Sequence, residues 1–128
     1  MTGPVVYVGM LKVKDGKLDE FKKNAAEIAD FVETNEPRMI AFNFYLDEET
    51  RRATVVQVHP DSASMELHMK LGAEHFASAF GYLDVETEQL FGPASDALID
   101  SFRQWLAPGV PFIVIPSHQG GFTRTNAR

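Results

Sequence analysis

Two β-forming runs joined by a short acidic turn stand in the middle of the chain, and they decide its fold class. Met39 to Leu46 alternates a wholly apolar set, Ile40, Phe42, Phe44 and Leu46, with a mixed one, Met39, Ala41, Asn43 and Tyr45. After Asp47-Glu48-Glu49-Thr50, the run Arg52 to His59 sets Thr54, Val56 and Val58 against Ala53, Val55, Gln57 and His59. Period-two alternation on both sides of a turn predicts an antiparallel hairpin. A hairpin between helices rules out a simple parallel doubly wound sheet, because parallel neighbours need a crossover between them.

The flanking segments complete the pattern. Val5 to Val13 is apolar on both alternating faces, which predicts a strand covered on both sides. Asp15-Gly16 breaks it, and Leu18, Phe21, Ala25, Ile28 and Val32 trace the inner face of a helix from Leu18 to about Asn35. Pro37 ends that helix, since the residue before a proline avoids the helical region. Beyond the hairpin, Pro60-Asp61-Ser62 supplies a turn and cap for a helix that runs to Met69 or Leu71. Gly72 interrupts it before a shorter helical stretch, Ala73 to Phe80. Tyr82 to Phe91 alternates Leu83, Val85 and Thr87 with Asp84, Glu86 and Glu88, predicting a strand with one wet face that carries both glutamates. Ala94, Ala97, Leu98, Phe102, Trp105 and Leu106 mark a third amphipathic helix, in which Phe102 and Trp105 are core residues by spacing. Phe112 to Ile115, held between Pro111 and Pro116, reads as an edge strand. From Gly120 onward the composition is that of a fraying tail, with Phe122 as its one candidate anchor.

The order β-α-β-β-α-β with an added α-β unit is the split β-α-β arrangement of a ferredoxin-like α+β domain with an antiparallel sheet. At 128 residues the chain is one domain by length. Residues 5–91 form the core of the pattern, 92–116 the added helix and strand, and 117–128 the tail. The helices can cover only one face of the sheet, yet the other is also apolar. A homodimer packed sheet on sheet covers both copies of that face with one self-complementary contact.

Composition narrows the function. A net charge of −6 argues against a nucleic-acid partner, which needs clustered Lys and Arg to neutralise phosphates. The absence of cysteine removes disulfides, thiolate metal sites and a thiol nucleophile. No apolar run is long enough to span a membrane and no basic region precedes the first one, so a cytoplasmic location is expected.

Few residues suit chemistry. His68 and His75 are two helical turns apart and share a face if the helix continues through Gly72. That spacing suits a metal poorly, because helical ligands sit three or four apart and no carboxylate completes a triad, so no metal is expected. Either imidazole suits a general base near neutral pH; the plainer reading packs each against the core or a dimer interface. Asn43, Tyr45, Gln57 and His59 read as polar groups on one face of adjacent strands, there to satisfy one another or to orient a ligand. Glu86 and Glu88 share a strand face that solvent alone explains. Gly120-Gly121 lacks the lysine and helix of a phosphate loop.

Glu36-Pro37-Arg38-Met39-Ile40-Ala41-Phe42, together with Leu67-His68-Met69 and His75-Phe76, resembles the antibiotic biosynthesis monooxygenase family of the dimeric α/β-barrel superfamily. The likeness covers residues 5–91. Gln57 and His59 stand where members often carry Glu and an aromatic residue, and Arg38 stands where Gly is usual. The resemblance implies a dimer whose two sheets form a barrel, and an apolar pocket between sheet and helices in each protomer. It further implies cofactor-independent oxygenation of an aromatic or quinol-like compound, in which the deprotonated substrate itself reacts with oxygen. His75 or His68 is then the base, and Asn43, Tyr45 and Phe76 contact the substrate. Haem-degrading relatives use an Asn on the first strand and a Trp on the second helix; neither is present, so haem cleavage is not expected. The alternative from another class is a non-catalytic dimeric ligand-binding or interaction module. A third, an isomerase-like member of the superfamily, has no residue to distinguish it.

Overall fold

The computed structural model describes residues 3–124. Strand β1 (Val5–Val13) leads into helix α1 (Leu18–Asn35), the hairpin β2 (Ala41–Asp47) and β3 (Arg52–His59), and helices α2 (Ser62–Leu71) and α3 (Ala73–Ala79). Strand β4 (Leu83–Phe91), helix α4 (Asp96–Trp105) and strand β5 (Phe112–Ile115) follow. The strands form one sheet in the order β2-β3-β1-β4-β5. Every pairing is antiparallel except β4 with β5, which α4 joins as a parallel crossover. This is the ferredoxin-like sheet expected from the sequence, extended at one edge by the added α-β unit.

Strand alternation sorts the sheet residues into two faces. Val5, Tyr7, Leu11 and Val13 of β1 and Ala53, Val55, Gln57 and His59 of β3 are buried beneath the helices. Phe42, Phe44 and Leu46 of β2 oppose Gln57, Val55 and Ala53 and therefore share that face. The helices contribute Phe21, Met65, Leu98 and Phe102 to the same core. The other face carries Val6, Val8 and Met10 of β1 and Thr54, Val56 and Val58 of β3. Ile113 and Ile115 extend it on β5 and remain 44% and 52% exposed.

Local chemistry sets the joints. Asp47 Oδ1 accepts the Glu49 amide across the hairpin turn, and Arg51 takes a left-handed φ of 59° where the chain re-enters the sheet. Asp61 caps α2 by accepting the Ser64 amide at 2.9 Å, and Arg38 holds the same carboxylate from outside. Ser95 caps α4 through the Leu98 amide, while its own amide donates to Ser62 Oγ at 2.9 Å, tying the starts of α2 and α4 together. Phe122 does not anchor the tail: it is 77% exposed, and beyond β5 the described chain has no regular structure. Residues 125–128 of the expected tail lie outside the described residues.

Candidate functional site

Between the sheet and its helices lies a cavity of about 210 Å³ with a largely apolar wall. The sheet supplies Tyr7, Leu11, Phe42, Phe44, Val55 and Val85; α2 to α4 supply Met65, Met69, Phe76, Phe102 and Trp105. The polar residues of that wall are few: Gln57, His75, Asp84 and Glu88, with the phenols Tyr7 and Tyr82. A largely apolar hollow with a few convergent polar groups is the general form of a small-molecule site.

The two histidines part at Gly72. The glycine separates α2 from α3, and a side chain there would meet the His68 carbonyl and the Phe76 ring, 3.0 and 3.2 Å from the added carbon. The shared face expected of a continuous helix therefore does not form. His75 turns to the cavity, its ring edge-on to Phe31 at 4.9 Å between centroids, and Phe76 lines the cavity beside it. His68 turns under the sheet, 1% exposed, with Nδ1 3.0 Å from both carboxylate oxygens of buried Glu36. Nδ1 thus donates to Glu36, and Nε2 is buried without a partner among the described residues. Phe42 and Phe76, each 5.5 Å from the His68 ring, are cavity-wall residues, whereas His68 itself does not line the cavity.

The four polar strand residues do not share a face. Asn43 and Tyr45 alternate with Phe42 and Phe44, so they project from the outer face, opposite Val56 and Thr54, and are exposed. Within one protomer they cannot touch a ligand in the cavity. Gln57 and His59 lie on the inner face, because Gln57 pairs with Phe42 and not with Asn43. His59 bridges Ser64 Oγ, 2.9 Å from Nδ1, and Gln57 Oε1, 3.0 Å from Nε2. Burial, aided by His68 close by, lowers its pKa to about 3, so it is a neutral structural link between β3 and α2.

The sequence reading missed the carboxylate in the cavity. Met10 pairs with Thr87 but Leu11 with Val85, so β4 carries one extra residue, Glu86, at a bulge. The bulge reverses the phase of everything after it. Glu86 faces outward and accepts from Arg52, while Glu88 faces inward opposite Gly9. The Tyr7 hydroxyl donates to Glu88 Oε1 at 2.8 Å, and Oε2 is buried without a partner among the described residues. Burial raises the Glu88 pKa above the usual carboxylate range, against the lowering effect of the tyrosine's hydrogen bond. Burial likewise pushes the Tyr7 pKa well up, with the Glu88 charge adding to the effect. Strict alternation of Asp84, Glu86 and Glu88 hides the bulge, and no residue type announces it.

The sheet with helices on one face, an apolar second face and a cavity between sheet and helices is a ferredoxin-like α+β fold. Solved structures agree. MupZ from Pseudomonas fluorescens superposes with a TM-score of 0.73 at 17% identity, over 98% of this chain and 98% of its own. SnoaB, a cofactor-independent oxygenase from Streptomyces nogalater solved as a mutant, gives 0.59 at 17% identity, over 70% of this chain and 91% of its own. A protein proposed as an antibiotic biosynthesis monooxygenase from Bacteroides thetaiotaomicron gives 0.58 at 14% identity, over 69% and 85%. No protein-family model and no curated protein matches the chain. The likeness is therefore one of fold at low sequence identity. Among the described residues, no three His, Asp or Glu side chains gather as a metal site, and no helix is long and apolar enough to cross a membrane.

Proposed function

We propose that the chain is a small cofactor-independent monooxygenase that acts, as a homodimer, on an aromatic or quinol-like compound held between sheet and helices. The observation that carries this reading is the aromatic-walled cavity with the His75 imidazole in its wall. A cavity of about 150 Å³ with an apolar lining is enough to take up benzene, so a compound of one or two rings suits this one. Histidine needs only a small shift to accept a proton near neutral pH. Removal of a proton leaves an electron-rich anion that reduces dioxygen. For a ring methylene, CH2 and O2 become C=O and H2O: one oxygen atom enters the ring as a carbonyl and the other leaves with both hydrogens. Phe76 stacks along the substrate in this reading, and His68 acts from behind the wall by fixing Phe42 and Phe76. The fold shared with SnoaB, described as a cofactor-independent oxygenase, lends support. Pairing through Val6, Val8, Val56, Val58, Ile113 and Ile115 accounts for the apolar outer face.

A second reading, a non-catalytic dimeric ligand-binding module, is favoured by the placement of Asn43 and Tyr45 outside the cavity and of His68 against Glu36. Oxygen consumption with a panel of one- and two-ring phenols, dihydroxynaphthalenes among them, separates the two, with product mass read alongside. Uptake that matches substrate loss and falls on His75→Gln substitution is expected for the monooxygenase. Uptake at the protein-free rate across the panel leaves the binding module.

A further inference from the structure

Glu88 is placed by three independent features. The bulge at Glu86 turns it inward, the Tyr7 hydroxyl fixes Oε1 at 2.8 Å, and Gly9 leaves the space in which that hydroxyl lies. A side chain on Gly9 would collide with the Tyr7 hydroxyl and press on Val55 Cγ1, 3.1 Å from the added carbon. The outcome is a carboxyl group in the cavity wall with one oxygen satisfied and the other, Oε2, buried and unpartnered among the described residues. A buried polar atom without a partner costs roughly 1–3 kcal/mol, so such atoms mark places where an unseen group completes the bonding. His75, Asp84, Tyr7 and Tyr82 are the other ionisable groups of the cavity wall, and among the described residues only Tyr7 hydrogen-bonds to Glu88.

We infer that Glu88 Oε2 receives the phenolic hydroxyl of the ligand, so that the cavity selects aromatic compounds bearing an O–H over hydrocarbons of the same shape. This rests on the reading of the cavity as the ligand site and adds the substrate class to it. A hydroxyl suits the position because it donates to a carboxylate, and a carboxylate beside it draws the O–H electron pair toward the ring. The Tyr7 hydroxyl is already committed to Oε1 and serves as a positioning residue. Glu88 and Tyr7 both belong to the one chain, so the contact needs nothing from a second copy.

The test compares β-naphthol with β-methylnaphthalene, which has the same outline and no O–H. Trp105, the single tryptophan of the chain, lines the cavity, so its fluorescence reports binding. At mildly alkaline pH the native protein is expected to bind the naphthol roughly 10- to 100-fold more tightly, the worth of one hydrogen bond to a charged acceptor. Glu88→Gln puts an amide N–H2 where Oε2 stood. It is expected to lower that preference about tenfold and leave β-methylnaphthalene binding, and hence the cavity, intact. Tyr7→Phe keeps the carboxylate and is expected to keep the preference. Native protein that binds the two probes alike overturns the inference without recourse to any variant. Retention of the preference in Glu88→Gln with its loss in Tyr7→Phe assigns the contact to the phenol and overturns it as well. A hydroxyl preference in a protein that consumes no oxygen supports this inference and counts against the monooxygenase reading alone.

Discussion

Gly9 and Glu36 show how much of this site depends on residues without obvious chemistry. Gly9→Ala drives a methyl group into the Tyr7 hydroxyl, and overpacking of this kind costs about 1–3 kcal/mol. Urea denaturation is expected to show that loss. Glu36 is 5% exposed, and among the described residues its side chain hydrogen-bonds to His68 alone. His68→Phe strands that carboxylate, and breaking a buried pair by removing one partner costs about 3–5 kcal/mol. The double substitution Glu36→Leu, His68→Phe is expected to recover most of that loss, since two apolar groups replace the pair. A single variant as stable as the native protein in denaturant would show that Glu36 is not held by His68. At this scale the sequence was a partial guide. His75 and Phe76 were legible as a pair at the right end of a helix. Glu36 lay unnoticed in a Glu-Pro turn, and Asn43 and Tyr45 were set beside the wrong neighbours because alternation does not say which phase of β2 meets which phase of β3.

At the scale of elements, the hairpin, the helices and the edge strand were legible because each has a clean period and a clear stop: Pro37 after α1, Asp61 at the head of α2, Pro108-Gly109 after α4. The bulge in β4 was not, and it alone moves Glu88 from solvent into the cavity. An inserted residue leaves the sequence alternation unbroken and shifts only the pairing, which depends on the partner strand. The β3–α2 joint makes its own measurable claim through His59. An imidazole ordinarily titrates near 6.5, and this one near 3. Between those values the unfolded chain holds a proton that the folded chain does not. The stability it contributes is therefore fully present above pH 6.5 and is lost as pH falls through that window, by up to about 1.4 kcal/mol per pH unit. Urea midpoints between pH 7 and pH 5 are expected to fall in the native protein, and to fall less in His59→Asn. Equal slopes in the two would locate the lost proton elsewhere.

For the whole molecule, one sheet does two jobs. Its inner face floors the cavity, and its outer face presents Val6, Val8, Val56 and Val58 with Ile113 and Ile115 at the added strand. Half-buried valines with exposed isoleucines beside them form one apolar face, and the homodimer proposed above pairs through it. Native protein at micromolar concentration is expected to scatter light as a dimer and Val56→Glu as a monomer, with the secondary structure unchanged. A native monomer would separate the outer face from any role in assembly. The cavity does not depend on the outcome, because its wall comes from one protomer. Val85 lines it from β4, so Val85→Phe fills the hollow without removing a polar group. The most direct measurement is the rate of oxygen uptake by native protein and by Val85→Phe on the same phenolic substrates. The filled variant is expected to fall to the protein-free rate while keeping its fold. Uptake undiminished by the filled cavity would contradict the placement of the reaction between the sheet and its helices.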